Sequence, residues 1–256
     1  FVTDVIVLVF VKLGNKPMDR DHDYGHGKYE TLATAIIGIS LFAVGMMICW
    51  SGLVKTYHAF LGEELQQPGI VALVAAVASV ALKEWAYQFT VRIGRKYHSE
   101  AVVANAWHHR SDALSSIGTM LGIGGAILLG DHWAVLDPLA AIVVSVFIIK
   151  AAWSLVMQSV KELTDASLSE AEENEILKTA SEEKGVGEIH NLLTRRIGNN
   201  IAIEMHVRMP GSLSLYAAHE HATAIENRLK QKYGADTHVG IHIEPIKVNG
   251  KYQKPE

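Results

Sequence analysis

Hydrophobic and polar positions fall into two regimes along the chain. Up to about residue 160 the apolar residues run on with little interruption. Residues 31–54, 65–82 and 113–130 contain no Asp, Glu, Lys or Arg, and a further apolar run starts at Pro138 and continues past Lys150 to Val160. A bilayer core needs about 20 apolar residues in a helix. The runs therefore predict membrane-spanning helices near 31–55, 68–92, 100–130 and 134–158. The opening FVTDVIVLVFVKLG is apolar, apart from Asp4, as far as Lys12. It is shorter than a full span, so it reads as the second half of a helix that starts ahead of residue 1. Several uncharged stretches in so short a length favour spanning helices over the core helices of a soluble protein.

From Lys161 the texture changes to periodic amphipathic segments. SLSEAEENEILKTASEE predicts a helix opened by Ser167 or Ser169 with a following Glu, a capping-type start. EIHNLLTRRIG and NIAIEMHVRM read as strands around the turn Gly198-Asn199-Asn200. SLSLYAAHEHATAIENRLKQKYG carries Ala218, Ala222, Ile225 and Leu229 at helical spacing. DTHVGIHIEPI closes as a third strand, and the order helix–strand–strand–helix–strand predicts a small α+β sandwich. Alternation in the second strand puts Ile201, Ile203, Met205 and Val207 on one face and Glu204, His206 and Arg208 on the other. In the third strand Val239, Ile241 and Ile243 face the core, opposite His238, His242 and Glu244.

Composition sharpens this division. Charged residues are 20% of the 256, against about 25% in soluble domains, and mean hydropathy is +0.17. Residues 1–160 hold 23 of the charged side chains and the shorter remainder holds 27. We therefore expect a transmembrane domain over 1–160 and a soluble domain over 161–256. The net charge of −4 gives no basic field for nucleic acid. The single cysteine, Cys49, excludes a disulfide framework and any CxxC metal site. No signal-peptide pattern is present. Lys12, Lys16, Arg20 and Lys28 follow the first helix, Arg92, Arg95 and Lys96 follow the third, and Lys161 follows the last. The alternate connections carry Glu63, Glu64 and Asp131 and no basic residue. The positive-inside rule puts the basic connections and the C-terminal domain in the cytoplasm.

Ionisable residues within apolar helices mark function by default. In NAWHHRSDALSS, Asn105, His108, Asp112 and Ser115 lie on one helix face. His108 and Asp112 are one turn apart and can grip one ion, whereas His109 lies about 100° round the helix and need not join them. Asp4, in the middle of the reconstructed first helix, needs a cation or proton partner. Lys83 and Glu84 are adjacent and suit interhelical anchoring or snorkelling. The loop PMDRDHDYGHGKYE brings Asp19, His22 and His26 together at spacings of three and four, a donor set suited to zinc or a similar cation. Gly25 and Gly27 let its backbone fold tightly. Residues 161–256 hold six histidines, with His206, His242 and Glu244 on polar strand faces and His190 and His219 as further candidates.

These motifs resemble the cation diffusion facilitator family, in particular its bacterial zinc/ferrous-iron efflux members. The resemblance is carried by TDVIVL, DRDHDYGHGKYE, HHRSDALSS, IEMHVRM and IHIEP, and runs along the whole chain. It implies a six-helix membrane domain, with the first helix and half of the second ahead of residue 1, and a small cytoplasmic α+β metallochaperone-like domain. It also implies a homodimer in the lipid bilayer of a bacterial inner (cell) membrane that exchanges a divalent metal for protons. The transport site would comprise His108, Asp112, Asp4 and an Asp before residue 1. The loop would hold a minor metal at Asp19, His22 and His26, and the cytoplasmic site would use His190, His206, His219, His242 and Glu244. Glu244 stands where many relatives carry Asp. Lys28 and Asp165 match a pair that forms a salt bridge at the dimer interface in relatives.

Two carboxylates, an imidazole and a further carboxylate suit tetrahedral Zn²⁺, with Cd²⁺, Fe²⁺ and Mn²⁺ as alternatives. Protons compete with metal for the same ligands. A membrane metalloenzyme would need a general base, and no HExxH motif is present. A metal-sensing membrane scaffold would not need ligands inside the helices. Transport is therefore the expected function, with no enzymatic activity and no nucleic-acid partner.

Overall fold

The computed structural model describes residues 2–62, 70–129 and 135–253. Glu63, Glu64 and Asp131, used above for orientation, lie outside the described residues. The chain forms two units, Phe1–Asn15 with Tyr29–Val160, and Lys16–Lys28 with Lys161–Glu256.

The first unit is helical: α1 Val2–Gly14, α2 Lys28–Phe60, α3 Ile70–Lys96, α4 Glu100–Leu129 and α5 Leu136–Leu163. Among the described residues, α2 and α5 are long and apolar enough to cross a membrane by length and composition. Val7, Ile37, Leu41, Ala104, Ile148, Ala152 and Leu155 form a core to which α1, α2, α4 and α5 all contribute. Tyr87, Val91 and Ala106 join α3 to α4. The outer surface is apolar too: Trp50, Trp85 and Phe147 are exposed at 70%, 67% and 63%. Helices apolar both inside and outside fit a hydrocarbon solvent, where backbone polar groups must bond within the helix.

Close packing of α2 on α5 follows from a glycine seam. Gly38, Gly45 and Gly52 recur every seven residues and face Val156, Ile149 and Ile142, which recur at the same interval. A Cβ at these three glycines would fall 2.9, 2.8 and 2.8 Å from side-chain carbons of α5. Small residues at such spacing let membrane helices approach to van der Waals contact, the main attraction left when water is absent.

The second unit contains α6 Glu170–Ser181, β1 Glu188–Ile197, β2 Asn200–Met209, α7 Leu215–Tyr233 and β3 His238–Pro245. A small hairpin follows, β4 Lys247–Val248 with β5 Lys251–Tyr252, too short to register in the pattern of the sequence. The main sheet has the order β1-β2-β3, antiparallel between β1 and β2 and parallel between β2 and β3. Ile176 and Ala180 of α6, Ile225 and Leu229 of α7, and Ile203, Met205 and Val207 of β2 fill the core. This is the α+β order expected from the alternation. The polar side chains of β2 and β3 are left on the other face. Ser169 caps α6, accepting from the Glu172 amide while the Glu172 side chain reaches back to the Ser169 backbone.

The sequence-based boundary at residue 160 assigned the loop 16–28 to the membrane part, whereas the structure places it in the second unit. The physical reason is contact with the β1–β2 end of the sheet. A Cβ on Gly27 would collide with the Ile197 carbonyl oxygen. The Arg195 guanidinium lies 4.8 Å from the Tyr24 ring centroid, and Tyr24 meets His238 edge-on at 5.0 Å. Lys28 Nζ donates to Asp165 Oδ1 at 2.7 Å within the chain.

Candidate metal sites

In the first unit, α4 supplies most of the ionisable groups. His108 Nε2 lies 4.0 Å from Asp112 Oδ2, one turn further on. Asp4 of α1 meets α4 on the neighbouring face. Asn105 Nδ2 donates to Asp4 Oδ1 at 2.8 Å, and His109 Nε2 lies 3.9 Å from the same oxygen. Asn105 and His109 are four residues apart, so they form one stripe beside that of His108 and Asp112. Helical spacing alone leaves His109 off the His108–Asp112 face. Periodicity fixes which residues share a face, but the rotation of α1 against α4 decides which face Asp4 meets. The side chains of His108, His109, Asp4 and Asp112 are partly exposed. Lys83 of α3 donates to Ser116 Oγ at 3.1 Å and to the Asp112 carbonyl at 3.4 Å, joining α3 to α4 beside the site. Glu84 accepts from Gln88 Nε2 at 2.8 Å.

The loop cluster assembles locally. Asp19 Oδ1 lies 3.3 Å from His22 Nδ1, and Asp19 Oδ2 lies 3.4 Å from His26 Nε2. The two imidazoles are 4.1 Å apart at their centroids. His26 Nδ1 is 3.2 Å from the Pro17 carbonyl, which can only accept. A proton on Nδ1 satisfies that carbonyl and would leave Nε2, which faces Asp19, as the nitrogen available to a metal. One donor atom from each of Asp19, His22 and His26 lies within 4.8 Å of the others. The Asp21 amide donates to Asp19 and, against slight desolvation, holds its carboxyl below the usual range, helped by His22 and His26. Gly25 has φ +75°, a left-handed conformation suited to glycine.

The sheet cluster is a row across three strands, with His190 opposite His206 and His206 opposite His242. His206 Nδ1 lies 3.1 Å from Glu244 Oε1, His190 Nε2 lies 3.4 Å from Glu244 Oε2, and His242 Nε2 lies 3.9 Å from Glu244 Oε1. Donor atoms of His190, His206 and Glu244 lie within 4.8 Å of one another. A register shift between His190 and Leu193, with Asn191 at φ +50°, brings the Asn191 amide to 3.2 Å from His206 Nε2. Burial pushes the Glu244 carboxyl up. The His206 hydrogen bond, the His190 charge and Arg208 outweigh this and hold it below the usual range. Arg208 Nε is 3.5 Å from Glu244 Oε2, a fixed cation next to the ligands that alternation alone could not rank as a neighbour. His219 does not join this cluster within the chain. It is exposed on α7, away from the polar sheet face, because α7 packs on the opposite side.

Apolar helices carrying an interior His–Asp cluster, followed by a histidine-rich α+β unit, define a membrane protein that handles cations. Residues 1–164 match the cation efflux transmembrane domain, and residues 168–246 match the cation efflux protein cytoplasmic domain. The chain belongs to the cation efflux, or cation diffusion facilitator, family, whose members are transporters and not enzymes; it is a membrane protein with its C-terminal domain in the cytoplasm. It is 36% identical to metal tolerance protein C1 of Arabidopsis thaliana, over 95% of this chain and 54% of that protein. It is 32% identical to metal tolerance protein 2 of Oryza sativa subsp. japonica, over 95% and 68% respectively. It is 29% identical to the manganese efflux system protein MneS of Bacillus subtilis (strain 168), over 96% and 81%. The chain thus spans about half the length of the Arabidopsis protein.

Proposed function

We propose that this protein exports a divalent metal cation from the cytoplasm in exchange for protons, by alternating access at the cluster between α1 and α4. The observation that carries the reading is the presence of two neighbouring pairs on one stretch of α4, His108 with Asp112 and His109 with Asp4 of α1, in helices of the transmembrane domain. Such groups are costly in a bilayer unless they serve an ion. A cation entering the cluster needs His108 neutral and Asp112 and Asp4 ionised. Protons that take those positions release it, so metal and protons exchange on the same atoms. A metal-sensing scaffold would keep the sheet cluster but has no use for this one. A metalloenzyme reading has no HExxH or similar motif behind it.

Zinc is the first reading for the cargo, because an imidazole among carboxylates suits a borderline cation, and Cd²⁺ and Fe²⁺ share that chemistry. Manganese is the second, favoured by the name of the Bacillus relative. The location we propose is a bacterial cell membrane. We read the loop trio Asp19, His22 and His26, and the sheet row with Glu244, as cytoplasmic metal sites. The second domain type is named for dimerisation, which supports a homodimer. His219, exposed on α7, is then the ligand that a second copy would contribute.

Proteoliposomes with an imposed pH gradient, offered Zn²⁺, Cd²⁺, Fe²⁺ and Mn²⁺ in turn, test the reading. Uptake of at least one metal with proton counterflow is expected. No uptake of any of the four would overturn it.

A further inference from the structure

One neutral group beside the charged ligands has an unmet requirement. Asn105 is only 7% exposed. Its Nδ2 donates to Asp4 Oδ1 at 2.8 Å. An ionised carboxylate can only accept, so the amide nitrogen must face Asp4 and the amide oxygen must face elsewhere. That oxygen, Oδ1, is buried and accepts no hydrogen bond from any described residue. A buried carbonyl oxygen left in this state is costly, and an apolar side chain here would avoid the cost. The oxygen therefore needs a partner in the working protein. Asn105 stands three residues before His108, four before His109 and seven before Asp112, so all four share one broad face of α4, and its amide meets Asp4 beside them.

We propose that Asn105 Oδ1 is a ligand of the transported cation and that it tilts selectivity toward Mn²⁺. The inference rests on the α1–α4 cluster being the transport site. An amide oxygen is a hard donor without charge. It adds an oxygen to the coordination sphere without altering the charge set by Asp4 and Asp112. Zn²⁺ is satisfied by four ligands including nitrogen and gains little from a further oxygen. Mn²⁺ favours more oxygen ligands and gains more. Asn105 also holds Asp4 through its nitrogen, and that second role affects both metals equally.

The test compares initial Mn²⁺ and Zn²⁺ flux in proteoliposomes for the parent, Asn105→Ala and Asn105→Asp, with Mn²⁺ binding followed by electron paramagnetic resonance. Asn105→Ala should lower the ratio of Mn²⁺ to Zn²⁺ flux about tenfold, equivalent to about 1.4 kcal/mol, and weaken Mn²⁺ binding in parallel. Asn105→Asp keeps an oxygen donor and should hold the ratio of Mn²⁺ to Zn²⁺ flux at or above the parental value. If Asn105→Ala lowers both metals equally, or changes neither, Oδ1 is not a ligand. A fall in the ratio of Mn²⁺ to Zn²⁺ flux in Asn105→Asp overturns the proposal as well, even if the alanine variant does not fold. Asp112→Ala, run alongside, separates the two levels: parental flux there means that the transport site itself is misplaced.

Discussion

His108 is the imidazole of the proposed transport site that stands one turn from a carboxylate, Asp112. His108→Asp keeps the number of ligands and replaces this imidazole nitrogen with oxygen. We expect flux to survive and selectivity to move from Zn²⁺ toward Mn²⁺, read as the ratio of initial rates in proteoliposomes. Equal loss of both metals would mean that the imidazole is structural. In the cytoplasmic domain, Ser169 and Glu172 give a pH-dependent prediction. The Ser169 hydrogen bond outweighs partial burial and, with Arg196, holds the Glu172 carboxyl below its usual range. The folded value is depressed, so the stabilisation is present above the unfolded pKa of about 4.3 and is lost as pH falls through the folded value. Ser169→Ala should cost about 1 kcal/mol at neutral pH. Thermal unfolding at pH 7 and pH 3 should show the gap to the parent narrowing in acid; a gap that widens would contradict the capping account.

At the scale of elements, the α2–α5 seam is the most exacting contact. Gly45→Val would put a Cβ 2.8 Å from Ile149 Cγ1, in a place where both backbones are already close. Overpacking of this kind costs about 1–3 kcal/mol. Gly124 has open space around it, so Gly124→Ala should leave the thermal midpoint in detergent near the parental value while Gly45→Val lowers it. Equal midpoints for the two variants would remove the seam from the account. The seam was not read from the sequence, because seven-residue glycine spacing means little until the facing helix is known. The strands, by contrast, were legible: a half-buried sheet imposes alternation on β2 and β3, and that placed His206, His242 and Glu244 on one face. The loop trio was legible because its ligands are local in sequence. The contact of Asp4 with Asn105 and His109, and that of Arg208 with Glu244, were not, because each depends on how one element meets another.

For the whole molecule, metal in the cytoplasmic domain should act on assembly and not on the path of the ion. We expect Zn²⁺ to shift the parent protein toward a dimer in sedimentation. His206→Ala removes the centre of the histidine row and should blunt that shift while leaving the protein folded. An unchanged response would mean that the sheet cluster does not govern pairing. The transported ion is expected to pass through the membrane cluster and not the cytoplasmic one. Proton-coupled Zn²⁺ and Mn²⁺ flux in liposomes for Asp112→Ala and His242→Ala tests it most directly. Removing the Asp112 carboxylate strips a charge from the ligand set in a low-dielectric setting, a loss of at least several kcal/mol, at tenfold in affinity for about each 1.4 kcal/mol. Flux of both metals should vanish in Asp112→Ala and only weaken in His242→Ala; normal flux in Asp112→Ala with none in His242→Ala would contradict the account.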